Sequence, residues 1–566
     1  MVPYIEVSLD ELPININKPL AFDTETIGLY GRIRLAQFYQ EGWDAVHLVN
    51  NPNPFELAAL LSNVEFIAHN AHYDITTIQA NTTSRWIPSK FEDTLYLARL
   101  KFYKEEAFSL DKVMEYVLQR DVYAEQGIDK KVWQDSDWSA MVLCNQQKTY
   151  AATDVYYLLD VYNAVKDYAD NTSYRLDKLF IQYALDFQNN GMPVIAEAVQ
   201  KQYADNLKAI EEIGVKINVN SYQQVRPYIG STMSDDLGLA KLALQGNVKA
   251  DNVRKARKLI KQNSFLNKFD VDSGYIYGKF TPSARSGRST CKDQNLQQLP
   301  RKLKHIFGYE LDGDKVFIYS DYKQLELRTI CAITGELRMA KLLRDNEDVH
   351  DFTAKMLFGE NFTPEQRQIA KTANFGLLYG AGVDTFLSIL IKLANLMLAE
   401  TAGVAIKKRW LNLWPSIKAW QDSGMQAWRR KEAWQTPFGR KYIAKLATDQ
   451  LNIMNQGFGA EVAKLAMHYM FIDPEFADTG LKLNNYIHDS YIFTCANDEQ
   501  LYKPAADLIA RSMQKAWFEA LAVGKDLKIR DLPMPVDVFV GFNWGSIEKE
   551  PLYKLELEGM KYYVHS

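Results

Sequence analysis

The sequence is poor in cysteine, in long apolar runs and in net charge. Its four cysteines, Cys144, Cys291, Cys331 and Cys495, stand far apart. They make no C-x-x-C pair, no zinc spacing and no disulfide framework, so a reducing compartment is expected. No apolar run reaches the about 18 residues that a bilayer-crossing helix needs, and no membrane partner is expected. The opening MVPYIEVSLDELP is acidic and has no apolar signal region, which argues against secretion and for the cytoplasm. Short repeats and low-complexity linkers are also missing. The formal net charge is −4, whereas nucleic-acid binders are often basic. Positive charge is instead local: Lys249, Arg254, Lys255, Arg257, Lys258 and Lys261 open a basic stretch that continues to Lys304. Such a stretch is either a solvated face or a phosphate-contacting surface.

What is present is length and pattern. The 566 residues, 47% of them hydrophobic, allow several domains with sizeable cores. Residues 18–170 alternate strand-like segments (KPLAFDTET, NVEFIAHN) with helix-like ones (FELAALLS, DTLYLARLK), the α/β pattern. A mostly helical stretch follows to about 270. The strand-like KVFIYSD at 315–321 and NYIHDSYIF at 485–493 are separated by a long helical region. The second of these reads as a buried strand with His488 and Asp489 at its centre, where an unpaired charge is costly.

In AFDTETIGL, Asp23 and Glu25 are two apart, which on a strand points both carboxylates to one face. IAHNAHYD adds Asn70 and Asp74. YAATDVYY adds Tyr150 and Asp154, four apart on one side of an expected helix. Like charges repel unless a cation gathers them, and hard divalent ions want oxygen ligands. A single D-x-E is usually only a solvated pair; the ordered set is more specific. D-x-E, N-x-x-x-D and Y-x-x-x-D together resemble the DEDD 3′→5′ proofreading exonucleases with a tyrosine in the third motif. The resemblance implies that Asp23, Glu25, Asp74 and Asp154 hold two metals and that Tyr150 orients the attacking water.

Further on, SDYKQLELR ends a strand at Asp321 and starts a helix expected to carry Gln324, Glu326 and Arg328. Asp321 is the partner that Asp489 needs, because two carboxylates on neighbouring strands can share Mg²⁺ ions. In TPEQRQIAKTANFGLLYGAG, Thr363, Pro364 and Gln366 form a helix-start signature. Arg367, Lys371, Phe375 and Tyr379 then recur every four residues, as one stripe of an expected helix. Two cations followed by two aromatics suit a triphosphate with a base and sugar beyond it. A plain amphipathic helix would read similarly, but not in this company.

That company resembles family A DNA polymerases, the bacterial DNA polymerase I class and its phage relatives. The stripe resembles the family's fingers helix, Asp321 with Gln324, Glu326 and Arg328 its first palm motif, and His488-Asp489 its last. SGRSTCKDQNLQQLP resembles the segment that grips the primer terminus, with Arg288 toward the minor groove. EDVH offers His350 as a phosphate contact, NIMNQG offers Asn452 and Gln456 beside the template and primer, and GFNW resembles the family's tail. Two departures stand out: Ser490 follows Asp489 where the family usually has glutamate, and Thr448 stands where relatives often have arginine.

The resemblance implies a ribonuclease H-like α/β exonuclease domain and a right-hand polymerase domain, an α+β palm with an antiparallel sheet and helical fingers and thumb. The expected layout is exonuclease 1–170, thumb 171–275, palm 276–336 and 436–566, and fingers 337–435. It implies Asp321, Asp489 and the backbone carbonyl of Tyr322 as metal ligands, Mg²⁺ as cofactor (two per site, with Mn²⁺ as substitute), and primer-template DNA and dNTPs as partners. Helicase, primase and single-strand-binding protein are candidate partners, and a monomer is expected. The compact chain and short thumb favour phage genome replication in the infected cell's cytoplasm. Two other classes fit the sequence less well. A single-subunit RNA polymerase would lack the exonuclease motifs and Glu326 as a sugar gate, and a non-catalytic accessory protein would have lost carboxylates that are all retained.

Overall fold

The computed structural model describes residues 2–309 and 313–557. They form two compact units. The first runs up to Asn189 and takes in Phe280–Pro282 and Phe438–Ile443; the second holds the rest.

The first unit is built on a six-stranded mixed sheet, in the order Tyr4–Glu6, Val46–Asn50, Arg32–Gln40, Leu20–Ile27, Phe66–Ala68 and Phe91–Asp93. Leu20–Ile27 pairs antiparallel with Arg32–Gln40 and parallel with Phe66–Ala68. Its alternation explains its place: Phe22 is fully buried and packs on Phe38 and Phe66, with ring centroids 5.4 and 5.7 Å away. Period-two geometry then turns Asp23 and Glu25 to the other face. Helices pack on this sheet, and two of them show a local start signal. Asn53 caps Pro54–Asn63 by accepting from the Phe55 N–H at 3.0 Å. Asp93 caps Thr94–Lys101 by accepting from the Leu95 N–H at 3.0 Å. The return segment at 438–443 is tied in by Arg440, whose Nη2 donates to both oxygens of buried Asp177 at 3.0 and 2.9 Å.

The second unit centres on a five-stranded sheet, wholly antiparallel, in the order Lys482–Ile487, Ser490–Ala496, Lys315–Tyr322, Val536–Gly541 and Tyr553–Leu557. The helix Glu499–Val523 packs on the three middle strands and against the long helix Ala447–Ile472. Between the strands ending at Tyr322 and starting at Lys482 the chain is mainly helical.

The stretch 485–493 is not the single buried strand expected. It is a hairpin: Lys482–Ile487 and Ser490–Ala496 pair antiparallel, and His488 and Asp489 are its two turn residues. His488 takes a positive φ of 60°, the left-handed conformation that tight two-residue hairpins require. The acid therefore stands at a tip and not in the middle of a packed strand. Within the basic stretch, Arg257 is not offered to phosphate. Its Nε donates to the Val219 carbonyl at 2.6 Å and its Nη1 to the Ser234 carbonyl at 2.8 Å, tying the helix Val248–Leu266 to the segments beside it.

Candidate active sites

In the first unit, the strand Leu20–Ile27 and the helix Asn145–Tyr156 bring Asp23, Glu25 and Asp154 together, with oxygens all within 4.8 Å of one another. Asp74, on the helix Ala71–Thr82, is buried next to them, and its Oδ1 accepts from the Thr24 hydroxyl at 2.7 Å. Burial and then the charges of Asp74, Asp154 and Glu25 push the Asp23 carboxyl well above the usual range. Glu25 is raised by burial and by Asp154 and Asp74. Burial raises Asp74 to about 7 and Asp154 to about 6. Four gathered carboxylates with raised affinity for positive charge, all oxygen donors, fit a hard divalent cation.

The Tyr150 hydroxyl faces Asp154, as does that of Tyr123, which donates to Asp154 Oδ1. Lys130 stands over the Tyr123 ring at 5.5 Å and donates to Asp111 Oδ1 at 2.6 Å, and its charge draws Asp154 and Glu25 toward ionisation. Sequence spacing pointed to neither Tyr123 nor Lys130, because both come from short helices of no motif. The helix carrying Asp74 begins at Asn70, a left-handed N-cap with φ 70°. The Asn70 and Ala71 N–H groups donate to the two oxygens of Asp93 at 3.0 Å each, which orients the helix start.

In the second unit, Asp321 ends the strand Lys315–Tyr322 opposite Ser490 on one neighbour and Asp537 on the other. Burial and then the charges of Asp489, Glu548 and Asp537 hold its carboxyl well above the usual range. Asp489 is raised to about 6 by burial and by Glu326, against the pull of Arg288. The hairpin thus delivers Asp489 to Asp321, as the buried charge required. The sequence does not single out Asp537 and Glu548, because they lie far along the chain from Asp321 and only the folding of the sheet brings them near it. The Ser490 hydroxyl donates to the Ile487 carbonyl at 3.1 Å and closes the hairpin turn from inside.

Glu326 is the centre of a second set. Arg288 Nη2 donates to its Oε1 at 2.8 Å, and the Tyr379 hydroxyl donates to its Oε2 at 3.1 Å. Asn455 donates to the Glu326 carbonyl and to the Tyr379 hydroxyl, each at 3.0 Å. The loop carrying Arg288 is held by Lys464, whose Nζ donates to the Gly287 carbonyl at 2.5 Å. Gly457 allows that loop its approach, since a Cβ there would lie 2.9 Å from the Ser286 carbonyl oxygen. His488 lies close enough to Arg288 and Glu326 to feel their charges, while burial lowers its affinity for a proton.

Not every expected residue joins these sets. Gln324 is not in the helix: it is the left-handed N-cap (φ 58°) of Leu325–Thr334. Arg328 is 2% exposed and donates to the carbonyls of Lys323 (2.9 Å) and Pro533 (2.6 Å), so its guanidinium serves the backbone around it. Asn452 and Gln456 line a cavity of about 310 Å³ with Arg285, Ser286 and Lys445; Asn455, between them in sequence, makes the contacts with Glu326 and Tyr379.

The helix Pro364–Gly376 starts on the expected capping box: Thr363 Oγ1 accepts from the Gln366 N–H at 3.2 Å and Gln366 Oε1 from the Thr363 N–H at 2.8 Å. Its buried side is Ile369, Ala370, Thr372, Ala373 and Asn374, which leaves Arg367, Lys371 and Phe375 on the open side. The helix stops at Gly376, so Tyr379 is not the stripe's fourth helical residue. It belongs to the following turn, and that turn is what carries its hydroxyl to Glu326.

His350 packs against the Phe375 ring at 5.4 Å, and burial lowers its pKa to about 4, so its imidazole is neutral. Its tautomer follows from a neighbour. Trp410 Nε1–H can only donate, and it donates to Asn374 Oδ1 at 2.8 Å. Asn374 therefore presents its NH₂ to His350 Nδ1 at 2.9 Å. Nδ1 accepts, and the proton is on Nε2.

Comparison with known proteins shows the family of the chain. A family model described as DNA polymerase family A matches residues 195–546, and one described as 3′-5′ exonuclease matches residues 8–168. The DNA polymerase I of Aquifex aeolicus (strain VF5) is 25% identical, over 93% of this chain and 96% of its own. A thermostable DNA polymerase I of Thermus thermophilus is 25% identical over 67% of this chain but only 46% of its own length. Among solved structures, the POL domain of Pol1 from M. smegmatis, in complex with DNA primer-template and dNTP, superposes with a TM-score of 0.75 at 17% identity, covering 94% of this chain and 96% of that one.

Proposed function

Because the chain belongs to DNA polymerase family A and carries that family's 3′-5′ exonuclease domain, we propose that it extends a DNA primer with dNTPs on a template and edits the primer's 3′ end at a separate site. The observation that carries the reading is the pair of acid clusters, Asp23–Glu25–Asp154 in one unit and Asp321 beside Asp489 in the other. The layout proposed is exonuclease 1–170, thumb 171–275, fingers 337–435, and palm on either side.

In synthesis, the primer 3′-hydroxyl loses its proton and its oxygen attacks the α-phosphate in line, and the α–β phosphoanhydride bond breaks to release pyrophosphate. Asp321, Asp489 and the Tyr322 carbonyl would hold the divalent cations, proposed as Mg²⁺ with Mn²⁺ as substitute. Asp23, Glu25, Asp74 and Asp154 would hold those of the exonuclease. Cations bound there would neutralise developing charge and favour an ionised attacking oxygen. Arg367 and Lys371 supply positive charge to the triphosphate, and His350 supplies a neutral Nε2–H donor. Phe375 and Tyr379 pack along the nucleotide, and Glu326 limits the space at its sugar. Arg288, His488, Gln324, Asn452 and Gln456 contact primer, template or nucleotide, and Arg328 supports them from the palm. In editing, Tyr150 orients the water.

Primer-template DNA and dNTPs are the proposed substrates, met by a monomer in the cytoplasm. Among the described residues no helix is long and apolar enough to cross a membrane. Helicase, primase and single-strand-binding protein are proposed as working partners. Phage genome replication is the narrower form of this reading. It is supported only by the short thumb expected from sequence, whereas the relatives named above are bacterial. The test is primer extension with dNTPs or NTPs, with and without Mg²⁺, alongside digestion of a single-stranded 3′ end. Absence of dNTP-dependent extension would refute it.

A further inference from the structure

We propose that Asp351 sets the enzyme's affinity for the incoming nucleotide by competing with the triphosphate for Arg367. The inference rests on the polymerase reading above, in which Arg367 meets that triphosphate.

Arg367 stands in the second turn of the helix Pro364–Gly376 and reaches across to the start of the helix Val349–Phe358. There its Nη2 donates to Asp348 Oδ2 at 2.6 Å, and its Nε donates to Asp351 Oδ1. The two carboxylates do different work. Asp348 is the N-cap of its helix: its Oδ1 accepts from the N–H groups of His350 (2.6 Å) and Asp351 (3.0 Å), so the helix needs it with or without Arg367. Asp351 has no capping duty and is half-exposed, with 49% of its side chain accessible. Its carboxylate serves the guanidinium.

A guanidinium holds its five N–H donors in one plane, and a phosphate competes for the Nε–Nη2 edge that the two aspartates take. A triphosphate that spans Lys371 and Arg367 must therefore displace Asp351 from Nε or accept a like charge beside it. Either way Asp351 weakens nucleotide binding. The penalty falls on ligands whose phosphates reach Arg367, and ligands too short or misplaced to reach it escape the competition. Exposed ion pairs are individually weak, so the expected effect is modest: removing the Asp351 charge should lower the KM for dNTP by roughly two- to fivefold.

The test uses the full chain with exonuclease silenced by Asp23→Ala and Glu25→Ala. Steady-state extension is measured for Asp351→Asn, Asp351→Ser, Asp351→Glu and Arg367→Ala, with inhibition by inorganic pyrophosphate as a second readout. Asp351→Asn and Asp351→Ser should both lower the KM and strengthen pyrophosphate inhibition with kcat little changed, and Asp351→Glu should behave as wild type. Thermal melting of each variant separates a binding effect from unfolding; with two unlike replacements, agreement between them reports the charge. A KM unchanged or raised in both, while Arg367→Ala raises it, overturns the competition. A KM unmoved by Arg367→Ala instead means that Arg367 does not meet the triphosphate, and then the site reading fails and the inference with it.

Discussion

Arg288 and Glu326 form an ion pair of 2.8 Å, with Tyr379 on the other carboxylate oxygen at 3.1 Å. The pair joins the loop that carries Arg288 to the first turn of the helix Leu325–Thr334, and it leaves the Glu326 carboxylate fixed rather than mobile. A fixed carboxylate is a usable wall. Held against the sugar's C2′ it clashes with a ribose hydroxyl. Glu326→Ala is expected to raise ribonucleotide insertion relative to deoxyribonucleotide insertion. Arg288→Ala should raise it less, since Tyr379 still restrains the carboxylate. Competitive insertion of each NTP against its dNTP measures both; an unchanged ratio in Glu326→Ala removes the residue from this role.

The two acid clusters belong to different units, so the activities should separate. Asp23→Ala with Glu25→Ala should abolish degradation of single-stranded 3′ ends and leave extension intact; Asp489→Ala should do the reverse. A second readout is independent of turnover. A divalent cation that binds the folded protein alone raises Tm, and the double variant should lose the part of the Mg²⁺-dependent shift that the exonuclease carboxylates provide. Proofreading that survives the double substitution would show that these are the wrong carboxylates.

How far the sequence reached differs from residue to residue. Asp23 with Glu25, and Tyr150 with Asp154, were legible because strand and helix periods put each pair on one face. The start of the helix Pro364–Gly376 was legible because Thr363, Pro364 and Gln366 are a local signal. The hairpin at 488–489 was not. Aromatic and β-branched residues flank the turn on both sides, and His-Asp is not the Asn-Gly type of pair that announces one. Asp537, Glu548, Asn455 and the Asp348–Arg367–Asp351 contacts were hidden for another reason: each depends on which elements meet in space, and no spacing along the chain records that. The period of four puts Tyr379 on the helix, but the helix stops at Gly376 and Tyr379 falls in the turn after it.

Ser490 stands where the sequence resemblance expects glutamate, and its hydroxyl has its own task on the Ile487 carbonyl at 3.1 Å. It is 6% exposed. Ser490→Glu must lose that bond and bury a larger acid beside Asp321 and Asp489, so extension should fall. Ser490→Ala loses only the hydrogen bond, a cost of about 0.5–1.5 kcal/mol, and should reduce stability slightly with near-normal extension. Mg²⁺ titrations of the extension rate compare them; a rise in activity with Ser490→Glu would mean that the hairpin has room for the acid.

Neutral His350 gives the protein a defined acid sensitivity. Its pKa is lowered to about 4 in the folded chain by burial, with Lys371 and Arg367 acting in the same direction and Asp348 and Asp351 opposing. The unfolded chain takes up the proton near pH 6.5, the folded one only near 4. Stability is therefore complete above about 6.5 and is lost as pH falls toward 4. At about 1.36 kcal/mol per pKa unit the loss from this residue is at most roughly 3 kcal/mol. Raised carboxylates elsewhere act with the opposite sign, so the comparison to make is wild type against His350→Gln. The variant should show a smaller fall in Tm between pH 6.5 and 4.5, and parallel curves would mean that His350 is not buried as a neutral ring.

Phe375 stands on the open side of its helix, 39% exposed, with its ring 5.4 Å from that of His350. In the proposed complex it lies beside the 3′ position of the incoming sugar. Phenylalanine has no hydroxyl to offer there, so the nucleotide's own 3′-OH must make the polar contact to its phosphates. A dideoxynucleotide leaves that contact unmade, at about 1–3 kcal/mol, or roughly 5- to 150-fold in selectivity. The wild type should therefore reject dideoxynucleotides. Phe375→Tyr adds a phenolic hydroxyl at an exposed position, with little packing to disturb, and puts it where the missing group would be. The variant should accept terminators far more readily and use ordinary dNTPs almost as before. Competitive incorporation of ddNTP against dNTP decides it, in the Asp23→Ala, Glu25→Ala background so that excision does not mask insertion. If the wild type and Phe375→Tyr discriminate equally, the helix does not lie over the sugar, and Arg367 and Lys371 lose their assignment with it, because one rigid helix places all three.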